Sequence, residues 1–338
     1  MTTFTRRSLL SASALAVLGS AACNGTAVQK ADQSASAQAS ATIGLTYIPN
    51  IQFAPFYWAA DKGLFGQQGV AVSLRHHGAS EGLFTALGAG QEQFVIAGAD
   101  EVLQANAEGL DLVTVAGYYQ TYPVVLIVPE ASPIKALKDL EGHSIGVPGE
   151  YGESWFGLQL ALRNAKLSRK DVSVKSIGYT QQAALATGKV DAIVGFRNND
   201  VVQFAQAGVK VRQIPLGDEI PLVSSSIVTT RKLVQDQPDL VRSVCRAIVQ
   251  GVQAVVADPS AAVATSSAHI PGLTAAEAQT RARATLEATI PLWKGPEVVP
   301  RLELDADRFV AMEAFMRSAG LLTKKVDAAK AVDTSVLS

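Results

Sequence analysis

From Thr42 onward, short β-type runs alternate with segments of helical period. "TIGLTYI" (42–48) reads as a strand, and Phe53, Phe56, Ala60 and Leu64 then fall on one helical stripe. "VAVSL" (70–74), "QFVIA" (93–97), "LVTVAG" (112–117) and "VVLIV" (124–128) are further strands, with helical segments such as 81–87 and 101–107 between several of them. A second series begins near Pro133. In it "SIGVPG" (144–149), "VSVKSIG" (172–178) and "DAIVGF" (191–196) are strands, and "ESWFGLQLALRNA" (153–165) and "QQAALATG" (181–188) are helices. After Val211 the chain returns through "VRQIPLG" and "LVSSSIVTT" and then turns helical. Such alternation predicts an α/β fold with largely parallel sheets.

The interrupted first series predicts two lobes. Residues 42–128 form the first part of lobe 1 and 129–214 form lobe 2, while 215–338 return to lobe 1 and add the C-terminal helices. Two extended crossovers, near 122–128 and 215–224, join them. An internal echo fits related lobes: Ala86-Leu87-Gly88-Ala89-Gly90 before "QEQFVIAG" is similar to Ala184-Leu185-Ala186-Thr187-Gly188 before "KVDAIVG". Each is a helix end, a glycine suited to the left-handed cap, and a strand ending in another glycine. Chance likeness of αβ units is the alternative.

The first 22 residues read differently. Thr5-Arg6-Arg7-Ser8-Leu9-Leu10 resembles a twin-arginine export signal, and the apolar run to Ala22 is too short to span a bilayer. Cys23 follows Ser20-Ala21-Ala22, a small-residue box like that of bacterial lipoproteins, although Ser20 stands where Leu is usual. Lipidation of Cys23 is the favoured reading, with ordinary signal cleavage nearby as the alternative. Residues 23–41 then form a lipid-anchored flexible tether, whose small polar composition gives a reach on the order of 23 Å. The mature protein is expected outside the cytoplasm, in the periplasm or cell envelope.

Composition narrows the partners. With 29 basic and 30 acidic residues and no block of like charge, no nucleic-acid footprint appears. Cys245, in "LVRSVCRAIVQGV", reads as a core thiol, so no structural disulfide is expected.

In open α/β sheets, ligands bind beyond the carboxyl ends of the strands. The loops there are Pro49-Asn50-Ile51-Gln52, Gly98-Ala99-Asp100, 117–120, 149–155 and Gly195-Phe196-Arg197-Asn198-Asn199. They carry aromatic rings, amides and carboxyls with one cation, Arg197. Such a set suits a neutral planar ligand, stacked on a ring and read at its edge by Asn, Gln or Asp. Sulfonate or nitrate would call for Arg or Lys forks or free backbone amides.

Competing structural roles stay open for each residue. Phe53 shares the apolar stripe with Phe56. Asn50, Gln52 and Asp100 are equally candidates for helix caps. If the strand continues, Tyr118 and Tyr119 point to opposite faces, so at most one faces the cleft. Glu153 complements a helix dipole, whereas Tyr151 has no stripe to join. The His76-His77 pair reads as a solvated strand end with no place in the cleft. No HExxH, cysteine cluster, Gly-x-Ser-x-Gly elbow, Walker or dinucleotide motif occurs, so neither catalytic residue, metal nor cofactor is expected.

"YIPNIQFAPFYWAADKGLFGQQGVAV", "EVLQANAEGLDLVTVAGYYQTYPVVLIV", "GVPGEYGESWFGLQLAL" and "ATGKVDAIVGFRNND" together resemble the solute-binding proteins of ABC importers. The resemblance runs over about residues 42–320. It lies in the branch of sulfonate, nitrate and thiamine-pyrimidine binders, nearest to those for riboflavin. It implies a two-lobed type II periplasmic-binding-protein fold with the ligand in the interlobe cleft, working with a permease and its ATPase. Carried onto this chain, the first-lobe contacts are Asn50, Gln52, Phe53, Asp100 and Tyr119. The second-lobe contacts are Tyr151, Gly152, Glu153, Ser154, Trp155 and Asn198. Arg197 departs from a neutral cleft and puts exclusion of a phosphorylated ligand in question. The thiamine-pyrimidine synthases share the fold but use a cysteine-rich segment and a histidine; this chain has no such segment.

Overall fold

The computed structural model describes residues 38–338 apart from Tyr47 and residues 78–80. The export signal, Cys23 and the tether as far as residue 37 lie outside the described residues. Strand β1 (Ala39–Leu45) starts three residues before Thr42, taking in the end of the expected tether.

Two five-stranded sheets carry the two lobes. The first contains β1, β2 (Val70–His76), β3 (Phe94–Gly98) and β4 (Leu112–Ala116), together with β10 (Ser225–Thr230), in the order β2-β1-β3-β10-β4. Strand β1 runs parallel to β2 and β3, with Ile43 opposite Leu74 and Phe94, while β10 is antiparallel to β3 and β4. The second sheet contains β5 (Val124–Pro129), β6 (Ser144–Val147), β7 (Ser173–Ser176), β8 (Ala192–Phe196) and β9 (Val211–Ile214), ordered β7-β6-β8-β5-β9. Here β6 is parallel to β7 and β8, and β5 is antiparallel to β8 and β9.

In each sheet four strands run one way and one, β10 or β5, runs against them, so the sheets are largely parallel with a single antiparallel strand inserted. Because β5 pairs with β8 and β9, the chain has entered the second lobe by Val124, earlier than the expected boundary at 129. An apolar β-branched run reads the same whichever way it points and whichever sheet receives it.

Lobe 1 is filled by two helices from distant parts of the chain. Asn50 caps the turn Ile51–Phe53 by accepting from the Gln52 N–H at 3.0 Å, and Pro55 opens the helix Ala54–Asp61, where its missing N–H costs nothing. Phe56 and Tyr57 are fully buried, with Trp58 half-buried under the Lys62 ammonium. Their partner is the helix Pro238–Ala257, which is long and apolar enough to cross a membrane. Its apolar face, Val244, Cys245, Ile248 and Val252, is buried in this lobe. Gly251 lets the helices approach, because a Cβ there would sit 2.4 Å from the Pro55 carbonyl oxygen.

A third packing joins the lobes behind the cleft. The helix Ala99–Ala107 of lobe 1 lies on Gly152–Ala165 of lobe 2. Val102, Leu103, Trp155 and Phe156 share one apolar cluster there with Phe309 and Met312. Each such side chain contributes about 1.5–3 kcal/mol when fully buried.

Candidate functional site

A cavity of about 870 Å³ opens between the carboxyl ends of the strands in the two sheets. Its lobe 1 wall carries Gln52, Phe53, Tyr118 and Tyr119, and its lobe 2 wall carries Tyr151, Tyr179 and Phe196. Strand β4 ends at Ala116, so strand alternation no longer applies to the two tyrosines after it. Tyr118 and Tyr119 instead stack with ring centroids 5.2 Å apart, and both line the cavity, against the expectation that at most one would. The Tyr118 hydroxyl donates to the Gln52 carbonyl at 2.6 Å. On the lobe 2 side, Tyr151 and Tyr179 are 56% and 64% exposed. Gly149 makes room for one of them: a Cβ there would lie 2.2 Å from Tyr151 Cε1.

The floor is acidic. Gly98 ends β3, and a Cβ on it would lie 2.3 Å from Asp100 Oδ1 and 3.1 Å from both Glu101 Oε2 and Glu153 Oε1. Three carboxyl groups from the two lobes thus converge on one glycine. Glu101 accepts from the Gly98 N–H at 3.1 Å, Asp100 from the Glu101 N–H at 2.9 Å, and Glu153 from the Ser224 hydroxyl at 2.8 Å. The Tyr122 hydroxyl lies 3.1 Å from Asp100 Oδ2 and 3.0 Å from the Glu153 carbonyl oxygen. Burial, reinforced by the neighbouring charges of Glu153 and Glu101, pushes the Asp100 carboxyl well above its ordinary range. Burial likewise lifts Glu101 to about 7, and burial plus the Glu101 charge lifts Glu153 to about 8. At the far side Asp200 accepts from the Phe196 N–H at 2.7 Å, and burial raises it to about 6.

Seven of the expected contacts line this cavity: Gln52, Phe53, Tyr119, Tyr151, Gly152, Glu153 and Ser154. The other four sit behind or beside the lining. Asn50 acts as the cap already described, and Asp100 lies fully buried beneath the floor. Trp155 joins the interlobe apolar cluster, with the Arg169 guanidinium 5.4 Å over its ring, because one residue along a helix turns the side chain away from the face of Ser154. Asn198 is fully buried and donates to the Tyr119 hydroxyl and to Thr289.

His77 corrects the sequence reading. Its backbone N–H continues the β1–β2 ladder onto the Leu45 carbonyl, its ring lies 2.9 Å from buried Glu92, and it lines the cavity. His76 points the other way, 2.9 Å from the Tyr57 hydroxyl, as strand alternation requires. Glu101, Asp200, Gln181 and Gln182 were also missed. All four stand in first helical turns facing the cleft, where acids and amides are ordinary helix starts.

Residues 50–262 match the family described as NMT1/THI5 like. The chain belongs to that family. It is 33% identical over 295 residues to the riboflavin-binding protein RibY of Chloroflexus aurantiacus, a match covering 86% of this chain and 84% of RibY. A weaker match, 21% over 222 residues, covers 62% of this chain and 64% of the 4-amino-5-hydroxymethyl-2-methylpyrimidine phosphate synthase of Aspergillus parasiticus. Among solved structures, the periplasmic aliphatic sulphonate binding protein SsuA from Escherichia coli superposes with a TM-score of 0.70. That likeness covers 87% of this chain and 92% of SsuA at 19% identity, and it is one of fold. This NMT1/THI5-like chain has the two-lobed periplasmic-binding-protein fold.

Proposed function

We propose that this protein is the extracytoplasmic solute-binding component of an ABC importer. It captures a flat, mostly uncharged heteroaromatic vitamin, riboflavin first, and delivers it to a permease coupled to an ATPase. The observation that carries this reading is the exposed Tyr151 ring, with Tyr179 beside it on the lobe 2 lining and Phe53 and Tyr119 on the lobe 1 lining of a cavity of about 870 Å³. A planar ring system enters between the walls and stacks, while Gln52, Gln181, Gln182 and Ser225 reach its heteroatoms and side-chain hydroxyls.

The match to RibY supports the choice of a flavin. A thiamine pyrimidine is the second reading, supported by the pyrimidine phosphate synthase match, although a single six-membered ring fills less of the cavity. Binding is favoured over catalysis because Cys245, the described cysteine, is fully buried in the lobe 1 core with its thiol pushed up by burial.

Native mass spectrometry of protein purified from its own cells tests the ligand class: a retained, chemically unchanged flavin supports this reading, and a retained sulfonate contradicts it. Export through Arg6-Arg7 and lipid attachment at Cys23 belong to the same proposal. A Cys23→Ser variant is expected to leave the membrane fraction for the soluble one, and persistence in membranes overturns the anchor.

A further inference from the structure

The cleft has a one-sided charge pattern. Among the described residues lining it, Glu81, Glu101, Glu153 and Asp200 are acidic and His77 is the sole basic type, with neither Lys nor Arg present. Arg75, behind the wall, is engaged by Glu92 at 2.6 Å and by Glu81 at 2.7 Å. Arg197, the cation of the strand-end loops, is half-buried outside the lining.

Backbone donors at the start of the lobe 1 helix are spoken for as well. Two long helices, Ala99–Ala107 and Gly152–Ala165, start at the cleft, where an oxyanion would ordinarily find free N–H groups. Acidic side chains of the chain itself stand in both first turns. Glu101 takes the Gly98 N–H, Asp100 takes the Glu101 N–H, and Glu153 occupies the first turn of the second helix. Across the cavity Asp200 takes the Phe196 N–H.

We infer that the cleft selects by charge, accepting the free heteroaromatic alcohol and rejecting its phosphate ester and other small anions. The inference rests on the heteroaromatic reading above for its choice of probe, and it extends that reading to the form of the vitamin that is carried. A phosphate monoester brings about −1.5 to −2 charges at neutral pH. Inside this cleft it meets the Asp200 carboxylate, raised only to about 6 and therefore ionised at pH 7.5, with no guanidinium or ammonium among the described lining residues to offset it.

The test is a parallel titration of the mature protein with riboflavin and with its 5′-phosphate at pH 7.5. The phosphate is expected to bind at least about 100-fold more weakly, two factors of ten in the dissociation constant. Asp200→Asn keeps an oxygen for the Phe196 N–H while removing one charge, and it is expected to narrow that gap. Phosphate binding within tenfold of riboflavin overturns the inference, as does tight binding of an alkanesulfonate. If neither flavin binds, the flavin reading fails by itself. An aminopyrimidine alcohol and its phosphate ester then decide the charge filter by the same ratio.

Discussion

Asn198 at the end of β8 donates its side-chain amide to the Tyr119 hydroxyl at 3.3 Å and to Thr289 Oγ1 at 3.0 Å. A loop of lobe 2 is thereby tied to the aromatic wall of lobe 1 from beneath. Asn198→Ala leaves the buried Tyr119 hydroxyl with Gln52 Nε2 at 3.5 Å. The loss is expected to cost about 1–3 kcal/mol, the range for a buried polar group deprived of its partner. Urea unfolding with an unchanged m-value measures it, and a variant as stable as the parent contradicts this role.

The acidic floor makes stability depend on pH in an unusual direction. Glu101 and Glu153 are lifted to about 7 and about 8, and Asp100 is raised as well, so the folded protein holds protons that the unfolded chain releases above about pH 4. Stability from this cluster is fully present below that pH and is lost as pH rises toward 8. Unfolding free energy is expected to fall by about 2–4 kcal/mol between pH 5 and pH 8. Glu153→Gln flattens that slope and raises stability at pH 8. A free energy that climbs over this window contradicts the cluster's assignment.

Close helix packing in lobe 1 depends on the missing side chain at Gly251. Gly251→Ala forces a methyl to within 2.4 Å of the Pro55 carbonyl oxygen, and is expected to cost about 1–3 kcal/mol as an overpacked contact. Gly66→Ala is the control, since a Cβ there meets nothing within 4 Å. Thermal melts should separate the two; equal melting temperatures contradict the contact.

Much of this arrangement is legible in the residues themselves. The strands announce themselves through runs such as "VVLIV", and looking beyond the strand ends finds Gln52, Tyr119 and the 151–154 turn. Strand direction is less visible, because β5 and β10 carry the same apolar pattern as parallel strands and are placed by pairing alone. Helix rotation hides the distinction between Ser154, which lines the cavity, and Trp155, which packs behind it. Glu101 and Asp200 look like ordinary first-turn acids, since only the tertiary fold aims those turns at a ligand. His77 is hidden by its partner Glu92, fifteen residues away along the chain.

The central claim, a flat heteroaromatic ring stacked in the cleft, is tested by fluorescence titration of riboflavin. Wild type should quench flavin emission on binding, because an electron-rich ring in contact donates an electron to the excited flavin and recovers it without emission. Tyr151→Ala should weaken binding roughly 5- to 150-fold, corresponding to about 1–3 kcal/mol for a lost stack with its burial. Trp155→Phe, altering a ring behind the lining, should leave affinity near the wild-type value. Riboflavin that neither binds nor quenches, alongside tight binding of an alkanesulfonate or nitrate, would contradict the account.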